Sequence, residues 1–521
     1  MTILTVTALA VFSGCLSDNG SARSSTALTI SIKPPSSLDP VFLRDSAGTL
    51  IARQIYEPLV RFDPDSSRLT PGLASTWEML DDGARFVFHL RDGAKFHNGR
   101  AVNSDDVKFS LNRLVRKATG SETSFLLDSV IGFDKVNTTG ESQELEGLSA
   151  IDDKTVEFRL RSPWVDFPYV LTSPSTAPIP RAEFEADPAA FENRPLGSGP
   201  YQLTAPLEPG RNIVLGRFLG YRGARLPIKR VEFAVYDDLQ IAWKDFEDKK
   251  LDVTEVPPGR ISFAEARYGE AGFSPLAAAL FVAFNTRDAD LADPRLREAV
   301  SRAIDRVAIA RNVYSDTMVP ANGLVPFGIA GRAAASCGHL CVRDVDGAKA
   351  LLSETYPGGG VPPLSYDYPA GGVDEAVGKA LQSQLSEVGI ELRLRPRERE
   401  LHAFFDLLES GQHEMFRLAW PAEYPLADWF VSPLFRTGSP DNHTGFANAD
   451  FDQRISAART TKEASNRLGL YSELETAAMQ SLVVIPIGFF RNRQVVDGRV
   501  EGFYVDQTGA FDISRLRIRE P

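Results

Sequence analysis

At 521 residues the chain exceeds what one hydrophobic core usually organises, so two or three lobes are expected. Its 43% hydrophobic and 24% charged residues are those of a globular chain. A formal charge of −12 excludes a general phosphate-binding surface, because nucleic-acid binding draws on clustered Lys and Arg, and no nucleic-acid partner is expected.

Ile3 to Gly14 form an apolar run that ends in FSGC and gives way to the polar LSDNGSARSS. About a dozen residues are too few to cross a bilayer, which takes roughly 20, so the run reads as the apolar region of a signal peptide with small residues before a cysteine. It resembles a bacterial lipoprotein signal. That resemblance implies a signal peptide over 1–14, acylation of Cys15 and a polar linker over 15–26. The remainder is expected to be exported and soluble.

ALTISIKPP alternates apolar and polar residues and reads as a strand ended by Pro34 and Pro35. AGTLIARQIYEPLV has helical spacing, and RFVFHLR and TVEFRLR are strand-like, separated by turn signals such as DDG, RDG and HNG. ALFVAFNT, Ala279 to Thr286, reads as a short apolar strand. In DPRLREAVSRAIDRVAIA, Asp293 can cap a helix with Pro294 at its first position, and Leu296, Val300, Ala303, Ile304 and Val307 form the expected buried stripe. VDGAKALLSETY follows as a helix, and SLVVIPIGFF and RQVVDGRV are strand-like near the end. Helices and strands interleave without a strict βαβα rhythm, which predicts α/β lobes of mixed sheet.

Catalytic signatures are weak. GVDEAVGKA, Gly372 to Ala380, has five residues between its glycines where a phosphate loop has four, and Ala380 stands where Ser or Thr would hold magnesium. PLGSGPY is not a nucleophile elbow, and no H-E-x-x-H occurs. Glu414, Glu423 and Asp428 cluster in sequence as a glycosidase pair would need, but most such acids are solvated. Cys337 and Cys341 lie four apart, which suits a local disulfide in an oxidising compartment. His339 between them adds a third metal ligand, a poor tetrahedral set without a second cluster. No metal and no cofactor are expected.

FRLAWPAEYP, Phe416 to Pro425, gathers Arg417, Trp420, Glu423 and Tyr424, and by itself allows catalysis, core packing or ligand binding. The wider sequence narrows the choice. SLDPVFLRDSAGTLIARQIYEPLVRFDPD, LTPGLASTWEMLDDGARFVFHLRDGAKFHNGRAVNSDDVKFSLNRL, GSGPYQL, DLQIAWKDFEDKKLDV, FVAFNTRDADLADPRLREAVSRAIDR, VRDVDGAKALL, FRLAWPAEYPLADWFVSPLF and GFANADFDQRISAA occur in the order found in a known family. Together they resemble the solute-binding proteins of ABC importers that carry peptides, nickel chelates and related solutes, and most of all the oligopeptide-binding members.

The resemblance implies no enzyme but a two-lobed α/β fold of the periplasmic-binding-protein kind (type II, the large cluster C), with an extra subdomain inserted in the first lobe. It places the first lobe at about 27–55, 190–276 and 486–521, the insert at 56–189 and the second lobe at 277–485. It implies capture of a peptide between the lobes, hinge closure and delivery to ABC permease subunits in the membrane by a lipid-anchored, extracytoplasmic monomer. The non-peptide alternatives are a nickel chelate, an oligosaccharide or an opine-like compound. By the same resemblance Glu423 stands where relatives have an aspartate that holds the ligand's ammonium, and Arg417 matches a basic position near the ligand's carboxylate. Trp420, Tyr424, Ala419, Asp45 and Ser46 complete the implied ligand-binding set. Pro421 departs from the pattern, since it has no N–H to offer a ligand backbone.

Overall fold

In the computed structural model, residues 26–519 are described, apart from 67, 222–225, 271, 399–400 and 510. Cys15 and the apolar run before it lie outside the described residues. The chain opens on β1 (Ala27–Ile32), whose alternation buries Leu28, Ile30 and Ile32, and the strand stops before the two prolines. It then enters the inserted part: hairpin β2 (Val60–Asp63) and β3 (Arg68–Pro71), followed by β4 (Ala74–Leu80), β5 (Arg85–Leu90), β6 (Leu148–Asp152) and β7 (Thr155–Arg159). The last four form an antiparallel sheet in the order β4-β5-β7-β6.

The chain returns as β8 (Tyr201–Leu203), β9 (Ile213–Arg217), β10 (Arg230–Val235) and β11 (Val253–Glu255). It crosses to a second sheet built from β12 (Pro275–Phe284), β13 (Met318–Pro320), β14 (Leu364–Pro369), β15 (Leu392–Arg397), β16 (Met415–Pro421) and β17 (Val484–Arg491). It then crosses back as β18 (Gln494–Val496) and ends in the hairpin β19 (Val500–Glu501) and β20 (Arg517–Ile518). The first sheet runs β18-β11-β1-β10-β9-β8 and the second β13-β17-β12-β16-β14-β15. Both mix parallel and antiparallel neighbours, as the missing βαβα rhythm predicted.

The two crossings touch. Val256 N–H donates to Arg493 O at 2.6 Å, Gln494 N–H to Gly272 O at 3.0 Å and Asn492 N–H to Ser274 O at 2.9 Å. The boundary expected at 485/486 falls inside β17, which pairs with β12 and β13 in the second sheet; the chain rejoins the first sheet only at Gln494.

A second difference concerns the helix expected from Pro294 onward. Asp293 accepts from Arg295 N–H at 2.9 Å and Pro294 opens the helix as expected, but it ends at Ala303. Asp305 then accepts from Ala308 N–H at 2.8 Å and caps a new helix, Arg306–Asn312. The break resets the helical phase, so Val307, expected in the buried stripe, is 54% exposed.

The inserted part does not stand apart from the second lobe. One continuous core holds Phe86, Phe88 and Phe158 of the inserted sheet together with Trp420, Trp429 and Phe430 of the second lobe. Ring contacts cross the seam, Phe125 to Trp429 at 5.4 Å and Trp164 to Tyr424 at 6.1 Å, and Val165 N–H donates to Arg459 O at 2.8 Å. The Cys337–Cys341 disulfide is formed, with Cα atoms 5.5 Å apart and His339 exposed beside it.

Candidate functional site: a cavity between first lobe, insert and the loop after β16

β16 has the period-two pattern of a strand covered on both faces. Phe416, Leu418 and Trp420 enter the core shared with the insert, while Met415 and Ala419 face the helical side of the second lobe. Arg417 shares that second face, and its Nε lies 2.9 Å from Asp374 Oδ1. The strand pairs with β12 up to Pro421 opposite Ala278, after which the chain turns out as a loop carrying Glu423.

Trp420 is 7% exposed and stacks on Trp429 at 5.3 Å and 19°. Its Nε1–H donates to Trp429 O at 3.0 Å, and Trp429 Nε1–H donates to Pro421 O at 2.8 Å, so the indoles clasp the end of β16 to the helix Asp428–Phe435. Tyr424 is buried too, its hydroxyl donating to Asp428 Oδ2 at 3.2 Å. Asp428 is in turn held by Arg459 at 2.9 Å. Burial, then the Asp428 charge, pushes the Tyr424 phenol well above its ordinary value. Both aromatics thus hold the loop in place.

Glu423 is different: it lines a cavity of about 410 Å³, inside the roughly 300–1,000 Å³ usual for small-molecule sites. The first lobe supplies Arg53 from the last turn of the helix Ser46–Ile55, the insert supplies Tyr56 and Glu57 just past that helix together with Thr172 and Pro174, and the C-terminal segment supplies Tyr504, Asp506 and Arg515. Burial pushes the Glu423 carboxyl up, while the Arg53 guanidinium and a hydrogen bond from Ser173 pull the other way. Arg53 Nε is buried without a hydrogen-bond partner. Arg515 is committed to Asp65 at 2.6 Å and Asp63 at 3.1 Å, and Tyr221 donates to Glu57 at 3.4 Å. The described lining residues include no histidine, cysteine or lysine.

Of the sequence-derived set, the structure thus brings only Glu423 to this cavity. Asp45 accepts from Gly48 N–H at 2.7 Å and Ser36 N–H at 2.8 Å, which makes it the cap of the helix Ser46–Ile55. Ser46 is exposed at that helix start, and neither residue lines the cavity. Ala419 packs on the helical side, and Arg417 sits with Asp374. Sequence reasoning missed Arg53, Glu57 and Arg515. The one available signal was charge inside otherwise apolar helical spacing at ARQIYEP, and nothing local ties it to Glu423.

A two-lobed fold with an inserted subdomain and a polar cavity against the loop after β16 defines a binding receptor. Residues 68–442 match the middle region of the bacterial extracellular solute-binding proteins, family 5, and the chain belongs to that family. It is 24% identical to the oligopeptide-binding protein OppA of Bacillus subtilis over 94% of this chain and 92% of the relative. It is 26% identical to the probable deoxycholate-binding periplasmic protein YgiS of Escherichia coli, over 90% and 89%. Among solved structures it is similar to the unliganded open form of the periplasmic murein tripeptide-binding protein MppA, with a TM-score of 0.79 and 22% identity over 95% of this chain and 97% of that one. These are binding proteins and not enzymes, and the fold is theirs.

Proposed function

We propose that this chain is the extracytoplasmic receptor of an ABC importer, which captures a peptide between its lobes, closes over it and delivers it to membrane permease subunits. Glu423 holds the ligand's ammonium, Cys15 carries the lipid anchor, and the receptor works as a monomer. The first lobe is drawn at 27–55, 190–274 and 492–519, the insert at 56–189 and the second lobe between the crossings. The observation that carries the reading is the position of Glu423: a carboxylate from a second-lobe loop, partly buried, facing a cavity to which that loop adds only Pro425 among the described residues and which the first lobe and the insert otherwise wall. A cation entering there meets a desolvated acid and is held more strongly than in water. Mass spectrometry of ligand released from purified, denatured protein tests this: free-amine peptides are expected, and a ligand without an amine overturns it.

A second reading, a non-peptide solute, is favoured by Pro421. Pro421 has no N–H, and its carbonyl is taken by Trp429 Nε1. Strand-like pairing with a peptide backbone therefore has no donor at that position, and its acceptor already serves Trp429.

A further inference from the structure

The cavity beside Glu423 is walled by many charges, and most of them are spent on neighbours in the wall. Arg515 holds Asp63 at 3.1 Å and Asp65 at 2.6 Å, and Asp512 accepts from Ser514 N–H at 2.8 Å. Glu57 accepts from the Tyr221 hydroxyl at 3.4 Å, and Asp506 accepts from Thr508 N–H at 2.8 Å and from its hydroxyl at 2.6 Å. Arg61 lies in the field of the Glu57 and Asp512 carboxylates.

Arg53 stands apart from this pattern. It sits half-buried in the last turn of the helix Ser46–Ile55 and makes no hydrogen bond or close ion pair with any described residue, although its Nε is fully buried. Glu423, which takes a hydrogen bond from Ser173, is near enough for the Arg53 charge to act on its carboxyl, yet the two do not close into an ion pair. A guanidinium presents five N–H donors in a fixed fork, and buried donors left unmet are costly. The group that meets that fork best is a carboxylate, held by two parallel bonds.

The two charges also stand on different bodies. Arg53 belongs to the first lobe and Glu423 to the loop after β16, and both line the same cavity. At about 410 Å³ that cavity is roughly 9 Å across if round, and an extended chain spans at most ~3.3–3.6 Å per residue, so two or three residues reach from one wall to the other. A cation placed only to neutralise Glu423 would close upon it. Held apart, the pair instead matches a zwitterion in one orientation, ammonium to the second lobe and carboxylate to the first.

We propose that Arg53 is a second ligand anchor of this cavity, which takes the carboxylate of a two- or three-residue peptide whose ammonium meets Glu423. Such a ligand ties one lobe to the other through its own two charges, so a peptide with either end blocked loses its hold on one wall. This deepens the peptide reading and rests on it.

Calorimetric titration of wild type, Arg53→Gln and Arg53→Lys with tri-alanine and with tri-alanine amide tests the inference. Wild type is expected to bind the free acid at least ~10-fold more tightly than the amide. Arg53→Gln should bind the two within about threefold of each other, and the amide no more weakly than wild type does, whereas Arg53→Lys, which keeps the charge but not the fork, retains part of the preference for the acid. Acid and amide bound equally by wild type, or the full preference kept by a folded Arg53→Gln, overturns this inference alone. Binding of neither peptide by any of the three proteins overturns the peptide reading and the inference with it. Thermal melting of each variant confirms that it is folded.

Discussion

Asp166 of the insert and Arg467 of the second lobe lie 2.9 Å apart, carboxylate to guanidinium, with the acid only 2% exposed. Tyr471 donates to the same carboxylate at 3.2 Å, and nearby the Arg459 guanidinium sits 4.5 Å from the Trp164 ring centre. Removing one partner of a buried pair leaves the other charge desolvated and uncompensated. Arg467→Ala is therefore expected to destabilise the protein by roughly 3–5 kcal/mol. A loss below about 1 kcal/mol in denaturant titration would show that the pair is solvated and does not hold insert and lobe together.

The same seam should respond to pH. Burial raises the Asp166 carboxyl to about 6, with Asp428 adding and Arg467 opposing, and raises Asp441 to about 7, with Asp128 and Glu409 adding and Arg436 opposing. Carboxyls whose folded pKa lies above the unfolded value favour the folded state at low pH, and that contribution is lost as pH rises through the folded pKa. The contribution of these two carboxyls should thus grow on acidifying from pH 8 toward pH 5, opposed below about pH 6.5 by His97 and His443, which burial lowers to about 4. Asp441→Asn should lift the melting point most at pH 8, clearly less at pH 5 and hardly at all below about pH 4, since the contribution changes between the unfolded and folded values; equal shifts at pH 8 and pH 4 would rule out this titration.

Glu423→Gln should weaken binding of a free-amine peptide by roughly 2–5 kcal/mol, because the desolvated ammonium loses its charged partner. N-acetylated peptides should bind wild type as poorly as the variant binds the free amine. Equal binding of acetylated and free peptides by wild type would remove Glu423 from the ligand's amine.

Trp420→Ala should cost roughly 3–5 kcal/mol of stability, since it empties the stack against Trp429 and frees the end of β16. Trp420→Phe keeps the ring but loses the bond to Trp429 O, and should cost about 1 kcal/mol or slightly more. If Trp420 were chiefly a ligand contact, affinity would fall in both variants while the melting point held.

Much of the fold was legible from local chemistry. Asp293 and Pro294 announced a helix start, β1 announced itself by alternation, and ordered segments pointed to a two-lobed receptor. Local chemistry also misled where two signals overlapped: Asp305 was read as one more residue of a long helix when it caps a new one, and Val307 followed it to the surface. At the site the limit was one of faces. Period two separates Arg417 from Trp420 on β16, but which face meets the insert and which meets the helices is decided by packing from segments hundreds of residues away. Arg53 could not be paired with Glu423 for the same reason.

The two crossings between lobes are hydrogen-bonded to each other, and Gly272 is packed so tightly that a Cβ there would lie 1.8 Å from Gln494 O. Two ribbons tied in this way bend as one spring, and in the proposed capture cycle its stiffness governs how often the empty receptor samples its shut form. A side chain at position 272 would wedge that spring and, for the proposed receptor, alter the tempo of capture and release, although residue 272 is not among those that line the cavity.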